Sequence, residues 1–111
     1  MLNNLDKVKT EVGGYDMECN SLEEVRANID RIDNEIIKLI AERGTYVIQA
    51  SALKKDEDGV KDTGRVEKVI AKVRAKAEKY GADPSMVEAL YREMISRFVN
   101  MELSEFHKNM Q

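Results

Sequence analysis

An apolar run at helical spacing, too long for a small globule, is the sequence feature that most constrains the fold. Its apolar positions are Leu22, Val25, Ile29, Ile32, Ile36, Leu39, Ile40, Val47, Ala50 and Leu53. No proline interrupts the stretch from Ser21 to Asp56, and a helix of this length extends ~50 Å. A compact domain of 111 residues is only about 35 Å across. The predicted helix therefore extends beyond any compact monomer.

This excess length leaves two architectures open. In the first, the long helix lies against its counterpart in a second copy, which buries an apolar face that two shorter helices cannot cover. In the second, a kink at Gly44 folds the segment into two helices. We favour the dimer, because glycine inside a helix costs only about 1 kcal/mol relative to alanine. The sequence therefore predicts a helical homodimer in which the two long helices lie against each other.

Capping signals mark the ends of three helices. The predicted helices span about Ser21–Asp56, Thr63–Tyr80 and Pro84–Asn109. Ser21 followed by Glu24 forms a capping box, Gly81 is a C-terminal stop, and Asp83 before Pro84 starts the last helix. Since period-two alternation is absent, we predict an all-α fold with three helices per chain. Residues 1–20, with Leu2, Leu5, Val8 and Val12 spaced for a short amphipathic turn, form an N-terminal extension to a helical domain at 21–111.

Composition excludes several classes of function. Charged residues make up 35% of the chain and no apolar stretch approaches the ~20 residues of a membrane span. A net charge of −3 disfavours nucleic-acid partners. The single cysteine, Cys19, excludes an internal disulfide, and the opening residues lack a secretory pattern, so we expect a cytoplasmic protein. Without zinc spacing, a phosphate loop or a nucleophile elbow, we expect no metal or cofactor.

Three charged residues interrupt the apolar faces. Arg43 continues the apolar series of the first helix, and Lys54, eleven residues later, lies within ~20° of it on a continuous helix. Glu102 interrupts the stripe of the last helix in the same way. Because a buried cation is costly without a counter-charge, this grouping predicts a pocket for an anionic ligand. The alternative is structural: Arg43 pairs with Glu42 or Glu102 at a dimer seam and fixes its register.

Two further arginines extend the predicted pocket. Arg65, at the start of the second helix, can turn toward the same region. Arg26 precedes Arg43 by 17 residues and faces about 100° away on a straight helix, so it could serve only the pocket of a partner. Each of the two alone is more typical of a surface charge. We interpret His107 as an ordinary surface residue with no Ser, Cys or carboxylate arrangement around it, and Cys19 as inert.

These residues, in this order, resemble the all-helical chorismate mutase family over about residues 21–108. The matching motifs are 22–33 (LEEVRANIDRID), 41–43 (AER), Lys54 at the family spacing, 60–62 (VKD) followed by Arg65, 81–83 (GAD) and the apolar pattern of 87–95. No single motif is specific, whereas the ordered set is. The resemblance implies two intertwined chains that form two identical sites, each of which binds a dicarboxylate enol ether.

The resemblance also implies a role for each site residue. Arg43, Lys54 and Arg65 would come from one chain and Arg26 from the other, with the arginines on the two carboxylates. Lys54 would also hydrogen-bond the ether oxygen, and Glu102, which helps only when protonated, would contact that oxygen from the other side. Asp62 would lie near the ring hydroxyl. On this basis we expect a chorismate mutase of aromatic amino-acid biosynthesis, which forms prephenate.

The sequence departs from the common mutase pattern at three points. Val66 stands where many mutases carry a glutamate, Phe98 stands where a small hydroxyl residue is common, and the loop between Lys54 and Arg65 is one residue shorter. Val66 and the loop resemble the isochorismate-pyruvate lyase branch, whose products are salicylate and pyruvate. Two alternatives therefore stay open: this lyase, and a non-catalytic helical dimer that binds an anion or a protein.

Overall fold

The computed structural model describes residues 18–109, which are helical almost throughout. The helices are α1 (Leu22–Ser51), α2 (Glu57–Val60), α3 (Thr63–Tyr80) and α4 (Pro84–Asn109). Helix α4 packs against each of the other three. The prediction of an all-α chain with three long helices is confirmed for these residues. The predicted amphipathic turn from Leu2 to Val12 lies outside the described range.

Helix α1 begins where its capping signal predicts. The Glu24 N–H donates to Ser21 Oγ at 3.1 Å, and the Glu24 carboxylate accepts from the Asn20 N–H at 2.7 Å. The helix then runs unbroken for 30 residues. It passes through Gly44 without interruption, so the alternative of two helices joined by a kink is wrong.

The predicted end of α1 is also wrong. The N–H groups of Leu53 and Lys54 donate to the carbonyls of Ala50 and Ser51, three residues back, and these tighter turns end the helix at Ser51. Asp56 is extended (φ −155°) and caps the short α2 by accepting from the Gly59 N–H. Lys54 therefore lies in a connection rather than on α1, and Leu53, at 85% exposed, does not continue the apolar face.

Helices α3 and α4 have the predicted bounds. Gly81 adopts the left-handed conformation (φ 81°) that glycine tolerates and ends α3. The Asp83 carboxylate accepts from the Ser85 N–H at 3.0 Å beside Pro84, the first residue of α4. These two ends set the α3–α4 hairpin that forms one side of the molecule.

Ion pairs align α3 with α4. Arg92 donates to both carboxylate oxygens of Glu67 at 2.9 Å and to Glu88 at 2.7 Å, and Arg74 also donates to Glu88. The hydrogen bonds from Arg92, and for Glu88 also those from Arg74, lower the pKa values of both carboxyls. A bidentate arginine fixes geometry as well as charge, so the network sets how the two helices lie together.

Much of the apolar face of α1 is uncovered in the single chain. The exposed apolar residues of this helix include Leu22, Ile29, Ile32, Ile36 and Leu39. The described chain is elongated, with extents of 65 × 26 × 17 Å. None of its helices in the described range combines the length and the apolarity that a membrane crossing needs. An apolar helix face of this length is typical of an interface between chains.

Candidate active site

An open cavity of about 460 Å³ lies between α1, α3, α4 and the connection after α1, which contains α2. Its charged lining consists of Arg43, Lys54, Asp62, Arg65 and Glu102. Most of the remaining wall is apolar and includes Val47, Val60, Val66, Val69, Ile95 and Phe98. The structure thus brings every predicted site residue except Arg26 around one cavity.

Lys54 and Glu102 form the most buried ion pair of the described residues. Lys54 Nζ donates to Glu102 Oε2 at 2.7 Å, and the two side chains are 29% and 8% exposed. Lys54 reaches the cavity because the tight turn after Ser51 directs the connection toward α4. Since an ammonium has three donors, Lys54 can hydrogen-bond a ligand while it keeps Glu102.

Arg43 lies against aromatic rings rather than a carboxylate. Its Cζ is 5.4 Å from the Phe98 ring centroid and 5.9 Å from that of Tyr91. Within the described residues of one chain it pairs with neither Glu42 nor Glu102, and its pairing at a dimer seam stays a prediction. Its guanidinium retains donors for an anionic ligand.

The start of α3 supplies the other positive wall of the cavity. Asp62 caps α3 by accepting from the Arg65 N–H at 3.0 Å, which fixes Arg65 in the first turn. Val66 follows, half-buried in the cavity wall. One Asp62 oxygen is thereby engaged with the backbone, and the other remains for a ligand hydroxyl.

Arg26 is not part of this cavity. It is exposed on α1, and the 17 residues between it and Arg43 correspond to about 25 Å along the helix axis. The side chain is too short to span that distance, as the sequence predicted for a single chain. Its role in a partner's site stays a prediction.

Several residues near the cavity were not identified from the sequence. Tyr46 and Gly59 line the cavity, and Tyr91 contacts Arg43. Tyr46 follows Arg43 by three positions on α1, a spacing that could have indicated a shared face. Gly59 carried no such signal, because its place depends on how the connection turns.

His107 lies at the surface as predicted, whereas the expectation that no carboxylate surrounds it is wrong. His107 Nε2 contacts Glu57 Oε1 and so joins the end of α4 to α2. The hydrogen bond and the charge of His107 lower the pKa of the Glu57 carboxyl. The contact is half-exposed and lies outside the cavity lining, so it bears on the position of α2 rather than on a ligand.

Two comparisons relate the chain to known proteins. The profile of the family described as chorismate mutase type II matches residues 25–103. An isochorismate pyruvate lyase from Pseudomonas aeruginosa is 32% identical over 82 residues, which cover 74% of this chain and 81% of the relative. The matched range contains all the charged residues of the cavity and Arg26. The chain therefore belongs to the chorismate mutase type II family.

Proposed function

We propose that this chain catalyses the rearrangement of chorismate to prephenate, a step toward aromatic amino acids. The observation that carries the proposal is the convergence of three cations, Arg43, Lys54 and Arg65, on one apolar-walled cavity. Such a cavity matches a compact apolar ring that carries two carboxylates. The match to the type II family supports the same chemistry.

Binding by the arginines supplies the first part of the proposed mechanism. Arg43 and Arg65 each offer a planar set of donors that suits a carboxylate. With both carboxylates held, the enol ether side chain is kept above the ring in the compact conformation from which the new C–C bond forms. Restricting the substrate to this conformer removes an entropic part of the barrier.

Charge stabilisation by Lys54 supplies the second part. As the C–C bond forms, the ether C–O bond breaks and negative charge grows on the ether oxygen. An ammonium already held by Glu102 needs little reorganisation to stabilise that charge in a partly desolvated pocket. Glu102 can donate to the same oxygen only in its protonated form, because a carboxylate would repel it.

The proposed active unit is a homodimer. The exposed apolar residues of α1 would pack on their counterparts in a second copy, and Arg26 would then reach the partner's cavity. Sedimentation at micromolar concentration should give twice the chain mass of 12.7 kDa. Replacement of Ile32 or Ile36 by glutamate should weaken the dimer and activity together. A fully active monomer would contradict this part of the proposal.

A second candidate, an isochorismate-pyruvate lyase, is favoured by two specific observations. Val66 in the cavity wall and the short loop between Lys54 and Arg65 depart from the common mutase pattern toward this branch, and the P. aeruginosa relative is named for this activity. The products, salicylate and pyruvate, require a ring hydrogen to reach the departing side chain. The same cations would bind isochorismate, so the charged residues do not separate the two reactions.

Separate incubations with chorismate and isochorismate test both candidates. Prephenate from chorismate, above the rate without enzyme, supports the mutase. Salicylate with equimolar pyruvate from isochorismate supports the lyase, and the larger kcat/KM identifies the main activity. The Lys54→Ala variant serves as the control for contaminating enzymes. Absence of catalysis with both substrates would favour a non-catalytic helical protein.

A further inference from the structure

Phe98 of α4 packs into a notch on α1 that exists only because residue 44 is glycine. Gly44 is buried, and a Cβ built on it would lie 2.9 Å from Phe98 Cε1 and 3.3 Å from Phe98 Cζ. The first distance is shorter than carbon atoms tolerate, so any side chain at position 44 would push the ring away. Gly44 and Phe98 are therefore complementary in shape.

The same ring is part of the surroundings of Arg43. Tyr91 and Phe98 stand two turns apart on α4, about 10.5 Å along its axis. The Arg43 Cζ lies within 6 Å of both ring centroids, at 5.9 Å and 5.4 Å, and is therefore between them. Aromatic rings attract a guanidinium through the negative charge on their faces and leave the donors at its edge available.

We propose that Gly44 and Phe98 form an interlocking pair that positions the Arg43 guanidinium for bidentate binding of a substrate carboxylate. No carboxylate of the described residues holds Arg43, so the aromatic contacts are what orders it before a ligand arrives. The notch sets how closely Phe98 approaches α1 and hence where Arg43 lies. This inference rests on the proposed function only for the identity of the anion.

The Gly44→Ala variant distinguishes a role of Gly44 in positioning Arg43 from a role in the stability of the fold. Alanine favours a helix more than glycine does, which offsets the cost of displacing the ring. The ring must still retreat by several tenths of an ångström, and Arg43 loses its ordered place. If the role of Gly44 is purely structural, Gly44→Ala will change the unfolding transition and leave substrate affinity unchanged. A positioning role raises KM in a protein that remains folded.

Three variants and one control test the pair. Gly44→Ala should raise KM about tenfold, with a smaller change in kcat, because preorganisation of Arg43 is lost. Phe98→Leu should raise KM to a similar extent. The Gly44→Ala/Phe98→Leu double variant should be no worse than Phe98→Leu alone, because the smaller side chain removes the clash. Thr45→Ala, an exposed neighbour on α1, should leave KM at the wild-type value.

A measurement without substrate keeps the test independent of the reaction. The δ-methylene protons of Arg43 should resonate upfield in the NMR spectrum of the free protein, because two ring currents act on them. Gly44→Ala and Phe98→Leu should each reduce this shift, and Thr45→Ala should not. If neither chorismate nor isochorismate is turned over while the shifts behave as expected, the proposed function fails and the positioning role stands. An unchanged shift in Gly44→Ala, or independent additive effects of the two substitutions, would overturn the inference.

Discussion

The Lys54 ammonium donates to the Glu102 carboxylate at 2.7 Å and so joins the connection after α1 to the last helix. The Glu102 side chain is 8% exposed, and Lys54 is the only cation within ion-pair distance of it among the described residues. Burial of a carboxylate is tolerated because of this pairing. In the proposed reaction the pair serves a second purpose, since the same ammonium faces the ether oxygen.

Replacement of Lys54 by alanine should lower kcat by about 100- to 1,000-fold, because a preorganised charge in the transition state is removed. KM should change less than kcat. The matched control is Lys55→Ala, an exposed neighbour that does not line the cavity. A melting curve must accompany the kinetics, because Glu102 loses its partner. Near-normal turnover by a folded Lys54→Ala protein would contradict the proposed role of Lys54.

Glu102→Gln should raise kcat at neutral pH. A glutamine amide can donate to the ether oxygen, whereas the carboxylate that holds Lys54 in the free protein would repel that oxygen. The measurement is kcat of both proteins at neutral pH, with a melting curve for each. A lower kcat in a folded Glu102→Gln protein would show that the charge of Glu102 on Lys54 matters more than contact with the reacting oxygen.

The sequence predicted those helix ends at which one residue determines the backbone conformation or the cap. Gly81 with its positive φ and the cap at Ser21 are local events, and both were identified correctly. The end of α1 was wrong because apolar spacing continues past Ser51, while the stop is made by hydrogen bonds three residues apart and by the Asp56 cap. Lys54 lines the cavity, although it reaches it from the connection and not from a continuous α1, as its spacing had predicted.

Contacts between distant segments were less accessible from the sequence. The notch at Gly44 depends on which residue of α4 faces it, and a glycine in a helix is equally consistent with a kink. The contact of His107 with Glu57 depends on α2, a helix of four residues that no periodicity marks. The positions of Arg43 and Glu102 could be predicted, because a charged side chain within an apolar stripe has few environments in which its desolvation costs little free energy.

Glu88→Gln should make the fold less stable near neutrality and reduce its sensitivity to acid. The pKa of the Glu88 carboxyl is lowered from 4.5 because the carboxylate accepts hydrogen bonds from Arg92 and Arg74. Its contribution is therefore present above the unfolded pKa of 4.5 and is lost as the pH falls through the lower folded pKa. Urea unfolding at about pH 7 and about pH 3 measures the difference.

A matched control for Glu88 lies on the same helix. Glu93 makes one exposed pair with Arg97 at 2.8 Å, and an isolated surface pair of this kind contributes little. Glu93→Gln should leave the urea midpoint at both pH values close to that of the wild type. Equal losses from Glu88→Gln and Glu93→Gln would mean that the network between α3 and α4 adds nothing to single surface pairs.

Mixing two inactive variants should restore activity if each site is shared between chains. Arg26→Ala and Arg43→Ala homodimers should each lose activity, because every site then lacks one arginine. In a mixed dimer, one site takes Arg43 from the Arg26→Ala chain and Arg26 from the Arg43→Ala chain, and the other site lacks both. Random exchange makes half of the dimers mixed, so about one quarter of wild-type activity should return.

The expected recovery depends on the distance between the two arginines. Arg26 and Arg43 lie about 25 Å apart along one α1 helix, so a single chain cannot place both in one cavity. Exchange should be verified by mass spectrometry of differently tagged chains, and a mixture of Arg43→Ala with Lys54→Ala serves as the control. That control should stay inactive, because both residues line the same chain's cavity and no mixed dimer contains an intact site. Recovery in the control, or none with Arg26→Ala, would contradict sites shared through α1.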